Sequence, residues 1–481
     1  MSFPASFVGP WTNQLRSSRT EQADDLPNYY VDRPESLITT CVPKALYVGT
    51  GLSIFNRALL PAILNAKESI HFVTCYWADS PTLNSFRETL LNLSASRLDL
   101  DPQTTKPLRI TIGFSSRGLL QKLLHTSSTD GYVYPPSQWA KLGLPDEAAL
   151  KMGCIDLTVK SLFFTPFSVM HPKYLVVDGA RAWMPSCNVS WEAWLEGCIE
   201  FEGDAVQQVL AFHDAVWCPG QPSSTRLVNL LTDEAPAPES AAARRAKRAS
   251  LHTGGMLDSA TQSFKFTDMK PVPAVFLPSP HHRNPRFRLL PPFFATSNPP
   301  VTPLNSGLLT LISNAQHSIS IVTPNVTAWP LMDALLEAIA RGVDVEIRTN
   351  KNMMVNEQLV TAGTTTSRCI EHFIKKYKGL AARTPKMDDP EAQLVAPGRL
   401  DIFDYQPLES RLDEKDEPVL SHFKMTLVDD EYVVFGSGNM DRASWWTSQE
   451  IGLLLHVPGF EGRMLWEGVL GKRGELWFSS R

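Results

Sequence analysis

Apolar positions recur along this chain with two periods, and one combination of them occurs twice. Leu59 to Thr74 begins with the spacing of a buried helical face and ends β-branched and aromatic, which predicts a helix running into a strand. Leu308 to Thr323 repeats it, with nine of sixteen positions identical at an offset of 249. The chain therefore reads as two copies of one α/β unit. In the second copy, Leu331 to Arg341 is an amphipathic helix closed by Gly342 at a C-cap position, and Val343 to Arg348 alternates like a half-buried strand. The first copy has its equivalent strand at Leu108 to Ile112. An enlarged region follows up to His171, with a helix expected over Leu119 to Leu124 and a loop at Tyr134 to Ser137.

The remaining stretches lack such periodicity. Residues 1–45 are polar and proline-bearing at first, and are expected to form an N-terminal extension. Residues 229–300, rich in proline and charge, are expected to form a partly disordered linker. That leaves domains at 46–228 and 301–481. The linker's basic clusters, Arg244 to Arg248, His281 to Arg283 and Arg286 to Arg288, could touch anionic headgroups, although a solvated connector is the simpler reading. The acidic run Glu409 to Glu417 reads as an exposed loop.

Bulk properties narrow the picture modestly. A length of 481 residues suits two to three domains, and 43% hydrophobic with 20% charged residues is ordinary for a globular protein. The net charge of −5 gives no general attraction to nucleic acid or to an anionic membrane. Seven scattered cysteines predict reduced thiols and an intracellular, non-secreted protein, cytoplasmic or peripheral to a membrane. Asn188-Val189-Ser190 is formally a glycosylation sequon, but a glycan there would block the site proposed below. No signal peptide, membrane span or metal-ligand spacing is visible, so neither metal nor cofactor is expected.

The candidate chemistry lies in a second duplication. His171, Lys173, Asp178, Ser186 and Asn188 are matched by His422, Lys424, Asp429, Ser437 and Asn439, each 251 positions later. Residues two apart on an extended strand share a face, so each His-x-Lys puts an imidazole beside an ammonium. Asp178 and Asp429 lie seven residues beyond their histidines, about 23 Å along an extended strand, and are expected to hold the strand end. Cys187 sits inside the first motif without a nearby base and is not expected to react. His71, His125, His213, His252, His317, His372 and His456 have no motif around them and default to core or surface.

The paired pattern resembles the His-x-Lys-x4-Asp-x6-Gly-Ser-x-Asn motifs of the phospholipase D superfamily. The run from Gly436 to Ser444, with Glu450 eleven residues after Asn439, is most similar to the cardiolipin synthase branch. The first copy departs at Pro185, where the family usually has glycine; proline fixes its own torsion and lacks a donor. Cardiolipin synthases usually carry membrane spans ahead of the catalytic part, and this chain shows none.

The resemblance implies an α/β fold of two similar domains, each a mixed sheet flanked by helices, related by a pseudo-twofold with one active site between them. The chain would then be a monomer containing an internal pseudo-dimer, meeting phospholipid peripherally. It further implies that His171 attacks phosphorus to form a phosphohistidine while His422 serves as acid and base. Lys173, Lys424, Asn188, Asn439, Ser186 and Ser437 would hold the phosphate. An acid on the strand after each motif would orient an imidazole: Glu450 in the second copy and Glu196, with Glu200 as fallback, in the first. The expected function is metal-independent hydrolysis of a glycerophospholipid, or transfer of its phosphatidyl group to an alcohol. A phosphodiesterase acting on nucleic acid is the first alternative, and a catalytically dead scaffold of the same fold the second.

Overall fold

The computed structural model describes residues 2–101, 104–118, 131–164, 168–219, 251–253, 259–267, 269–281, 298–383, 396–458, 460 and 465–481. It opens on a helix, α1 (Ala5–Ser17), and a long strand, β1 (Ile38–Thr50). The first unit follows as α2 (Leu60–Leu64), β2 (Ser69–Tyr76), α3 (Pro81–Ala95), β3 (Leu108–Ser116) and β4 (Ile155–Ser161). Then come β5 (Tyr174–Val177), β6 (Arg181–Pro185), β7 (Trp194–Glu202) and α4 (Asp204–Trp217). Two strands, β8 (Gln262–Phe266) and β9 (Val272–Ser279), precede the second unit.

That unit runs α5 (Pro303–Asn314), β10 (Ser318–Val322), α6 (Trp329–Ala340), β11 (Asp344–Thr349), α7 (Val355–Ala362), α8 (Thr366–Arg383) and β12 (Leu400–Asp404). It closes with β13 (Leu420–Ser421), β14 (Met425–Val428), β15 (Tyr432–Gly436), α9 (Arg442–Trp446), β16 (Glu450–His456) and β17 (Glu475–Ser479).

Pairing shows how alike the units are. In the first, β4, β3 and β2 are parallel neighbours, and β5, β6, β7 and β1 continue the sheet antiparallel. In the second, β12, β11 and β10 are parallel, and β14, β15, β16 and β9 continue antiparallel. The mixed α/β class is as the sequence implied. Helix starts are specified locally and alike: Ser80 caps α3 and Thr302 caps α5, each followed by proline at the first helical position.

Two expectations about the flanks are corrected. The N-terminal segment is no loose extension. Trp11 is fully buried and donates from Nε1 to Pro303 O at 3.1 Å, and Phe7, Trp11 and Leu15 share one core with Leu304 and Leu308 of the second unit. Strand β1 then stitches the sheets together, pairing Ile38–Cys41 with β9 and Val42–Thr50 with β7. The second correction concerns the linker. Its residues 272–279 are a strand, almost wholly buried, that stands beside β16 as β1 stands beside β7. His281 is buried too, stacked on Phe164, and so does not reach headgroups. The clusters at 244–248 and 286–288, with His282 and Arg283, lie outside the described residues, as does the helix expected over 119–124. Residues 136–142 form a helical turn rather than an open loop.

The acidic run before the second motif also differs from expectation at its end. Glu417 is buried and accepts two bonds from the equally buried Arg473, at 2.8 and 2.7 Å. A buried carboxylate needs such a partner, and here it fixes the loop that delivers β13.

Candidate active site

Each His-x-Lys segment lies just before its strand rather than within it, since β5 begins at Tyr174 and β14 at Met425. What holds it is the other unit. His171 N donates to Gln449 O at 3.0 Å, and Gln449 N donates to Val169 O at 3.0 Å. Reciprocally, His422 N donates to Leu195 O at 2.8 Å, beside the parallel pairing of Trp194–Leu195 with Leu420–Ser421. Each histidine is thereby laid against the residue preceding the other unit's glutamate.

The carboxylates are accordingly exchanged. His171 Nδ1 meets Glu450 Oε2 at 2.8 Å, and His422 Nδ1 meets Glu196 Oε1 at 2.9 Å. Both expected acids therefore face an imidazole, each across the interface. The fallback Glu200 is elsewhere, accepting from the Tyr47 hydroxyl at 2.7 Å and from Arg181. With Nδ1 engaged by the carboxylate, Nε2 is the nitrogen of each ring left for another partner.

Lys173 and Lys424 come to the same place. Each donates from Nζ to the carbonyl of its own histidine, at 2.8 and 2.6 Å, and both are buried. An ammonium has three donors, so this bond fixes its position and leaves others for a ligand. Asn188 Oδ1 accepts from Tyr76 N at 3.2 Å, while Asn439 spends one amide hydrogen on Asp441 Oδ2 at 2.9 Å. The two asparagines are thus held differently, although their motifs match.

The serines are corrected. Ser186 Oγ donates to Glu196 Oε2 and accepts from Gly197 N at 2.9 Å; Ser437 Oγ donates to Glu450 Oε2 and accepts from Ile451 N at 3.0 Å. A hydroxyl has one hydrogen, and here it goes to the carboxylate. Ser186 and Ser437 position the glutamates rather than hold phosphate. Pro185 is accommodated without disturbing this, because Ser186 N still donates to Gly197 O at 2.8 Å. In the second unit the equivalent Gly436 is required sterically, since a Cβ there would lie 2.3 Å from Ile451 O.

Asp178 and Asp429 hold strand ends, far from the imidazoles along the chain. Asp178 accepts backbone N–H bonds from Lys67, Glu68 and Ser69 at 2.7–3.1 Å, and Asp429 accepts from Gln316, His317 and Ser318 at 2.7–2.9 Å. Two participants went unnoticed in the sequence. Ser444 Oγ donates to Glu450 Oε1 at 2.7 Å, and Asp441 caps α9 through Ser444 N at 2.9 Å. The signal was Asp441 three residues before Ser444, an N-cap pattern. Trp194 has its ring centred 5.1 Å from that of His422.

The two His–Glu pairs are electrostatically unequal. Burial pushes the Glu196 carboxyl up to about 7 against the pull of Lys424 and Ser186, and burial with Lys424 holds His422 well below its ordinary value. Burial alone would raise Glu450, but the charge and hydrogen bond of His171 bring it below the usual range. His171 is lowered by burial and supported by Glu450. Burial also drops the Lys424 ammonium to about 7, opposed by Glu196. Among the described residues no cluster of histidine, cysteine and carboxylate could hold a metal ion.

Residues 308–464 match the family model described as the cardiolipin synthase, PLD-like domain. The second unit thus carries the match to a phospholipase D-like domain. Among solved structures, the phosphatidylserine synthase of Haemophilus influenzae Rd KW20 aligns with a TM-score of 0.52 at 14% identity, over 95% of this chain and 92% of that one. That likeness is one of fold. Nuc, a phospholipase D family member from Salmonella typhimurium, aligns at 19% identity and TM-score 0.24 over 35% of this chain and 88% of its own. No curated protein matches the chain.

Proposed function

We propose that this chain is a phospholipase D-type enzyme that cleaves a glycerophospholipid at its phosphodiester, passing the phosphatidyl group to water or to an alcohol. The exchanged His–Glu pairs, set around two buried lysines, carry the proposal. Two ammonium groups converging there suit an anionic phosphodiester. Lys424 is strained by burial as an ammonium, and a phosphodiester beside it would restore its proton.

In the proposed reaction His171 Nε2 attacks phosphorus, the P–O bond to the headgroup breaks, and His422 passes the leaving alkoxide a proton from Nε2 as its Nδ1 takes one from the Glu196 carboxyl, which is held up at about 7. Water or an alcohol then returns a proton to His422, attacks phosphorus and breaks the P–N bond, freeing His171. The lysines and asparagines hold the nonbridging oxygens as charge grows. His171 takes the nucleophile's role by family resemblance and is the more exposed ring, 13% against 4%. Every proton has a protein carrier, so the activity should survive a chelator.

The test is purified protein on mixed phospholipid vesicles in a chelator, with and without glycerol, beside His171→Ala. Phosphatidate or a glycerol adduct from the unmodified protein alone supports the reading, and the glycerol response separates hydrolysis from transfer. If lipid is untouched but single-stranded DNA is cut in a His171-dependent way, the lipid reading falls.

A further inference from the structure

The segment between β11 and β12 contains a helix turned inside out. In α7 (Val355–Ala362) the buried residue is Gln358, a polar one. Its amide is fully engaged, donating to Met353 O and Asn325 Oδ1 and accepting from Thr366 N and Oγ1. Val355, Leu359 and Ala362 fall at i, i+4 and i+7, the spacing of a core-facing stripe, yet none is buried. Leu359 is 43% exposed and Val360 56%. The helix is bounded by left-handed residues, Met354 (φ 50°) and Gly363 (φ 67°). A surface helix that anchors itself by a glutamine and turns leucine and valine outward is built to be covered.

Its surroundings indicate by what. Just upstream, Asn350 exchanges two hydrogen bonds with Ser421, the neighbour of His422, and α7 packs against α9, which follows Asn439. Immediately downstream, α8 (Thr366–Arg383) buries Cys369, Ile370, Phe373 and Tyr377 and exposes Arg368, Lys375 and Lys378 against Glu371, while Lys376 is paired with Asp333 at 2.8 Å. In a chain of net charge −5 this is a locally basic face. An apolar helix beside a basic one, packed on the helix that follows Asn439, matches the chemistry of an anionic phospholipid surface: apolar side chains enter the headgroup boundary and cations meet phosphate.

We propose that α7 and α8 form the surface by which this protein docks on an anionic bilayer. The proposal rests on the phospholipid reading above for its choice of partner. Leu359 and Val360 enter the interface, and Arg368 and Lys375 hold headgroups.

Binding is measured by co-sedimentation with vesicles of phosphatidylcholine alone or mixed with phosphatidylglycerol, in a His171→Ala background so that no lipid is consumed. Leu359→Glu with Val360→Glu should weaken binding at least about tenfold. Arg368→Gln with Lys375→Gln should weaken it on the anionic vesicles alone, about five-fold per cation, with added salt erasing the difference. Placed in the catalytically intact protein, both pairs should leave turnover of a monomeric short-chain phospholipid unchanged while lowering turnover of vesicles. The proposal is overturned if the unmodified protein ignores anionic vesicles, or if both pairs bind them normally. It is equally overturned if Leu359→Glu merely separates a dimer in solution. Loss of binding in both pairs without any lipid turnover would uphold the docking surface and remove the enzymatic reading.

Discussion

Asp178 offers the sharpest separation of folding from chemistry in this motif. It sits at a backbone φ of 53°, where aspartate is tolerated better than most side chains. Three consecutive N–H groups, from Lys67, Glu68 and Ser69, converge on its carboxylate, and its own N–H donates to Ser69 O at 2.8 Å. The turn entering β2 is thereby clamped to the end of β5. In Asp178→Ala the N–H groups of Lys67 and Glu68 can rebind water, so each of those bonds is worth about 1 kcal/mol. Ser69 is buried, and its stranded donor costs about 1–3 kcal/mol. Alanine in a left-handed conformation adds about 1 kcal/mol.

The expected destabilisation is therefore about 4–6 kcal/mol. Asp178→Gly should recover about 1 kcal/mol by removing the backbone term, and Asp178→Asn, which keeps one acceptor, should lie about halfway to the unmodified protein. Urea unfolding followed by tryptophan fluorescence gives the ranking, with lipid turnover measured on the protein that remains folded. Turnover per folded molecule should stay within a few-fold. If Asp178→Ala unfolds at the ordinary urea concentration yet loses activity a hundredfold, the carboxylate takes part in the chemistry and the clamp reading is wrong.

Three further outcomes follow from the site and its supports. Glu450→Gln should cut kcat at least about a hundredfold by removing the charge that supports His171, whereas Glu196→Gln, resembling a carboxyl already half protonated near pH 7, should cost about tenfold and flatten the pH–rate profile there. Trp11→Ala should destabilise by about 3–5 kcal/mol, as expected of a fully buried side chain, and a loss under 1 kcal/mol would show the N-terminal helix to be dispensable. Burial holds His71 down at about 4, with Asp214 opposing and Arg109 assisting, beside His213, which burial, His71 and Lys160 hold well below its ordinary value. The unfolded chain binds more protons between pH 6.5 and 4, so stability should fall across that window by up to about 3 kcal/mol from His71 alone. His71→Leu should flatten the urea midpoint against pH.

The sequence was informative wherever a local pattern carried the structure. The helix-to-strand repeat at Leu59 and Leu308 gave α2–β2 and α5–β10, and alternation gave β11. The motif aspartates were placed correctly because distance along a strand is arithmetic. Patterns failed where pairing was long-range. Val272–Ser279 reads as a proline-bearing linker because a strand buried on both faces shows no alternation, and its partners lie at Ile38–Cys41 and Glu450–Leu455. Glu417 read as solvated for a similar reason, because its guanidinium partner is 56 residues away.

The exchange of carboxylates was the largest omission, and its cause is physical. Two copies of one motif leave open whether each histidine uses its own unit's glutamate or its neighbour's, because both arrangements have the same local spacing. The choice is made by backbone bonds: Gln449 O receives His171 N, and Leu195 O receives His422 N. Those bonds need the units in close contact. At Gly197 the contact is so tight that a Cβ would lie 2.1 Å from the Phe423 ring of the other unit. Phe423 fills the variable position of the second His-x-Lys, and Pro172 fills it in the first. The difference between the copies at that position therefore serves the fit between units. Neither half, folded alone, would hold a histidine against a carboxylate. Duplication in this chain supplies one site from two incomplete halves, and the exchanged glutamates make each half's chemistry conditional on the other's fold.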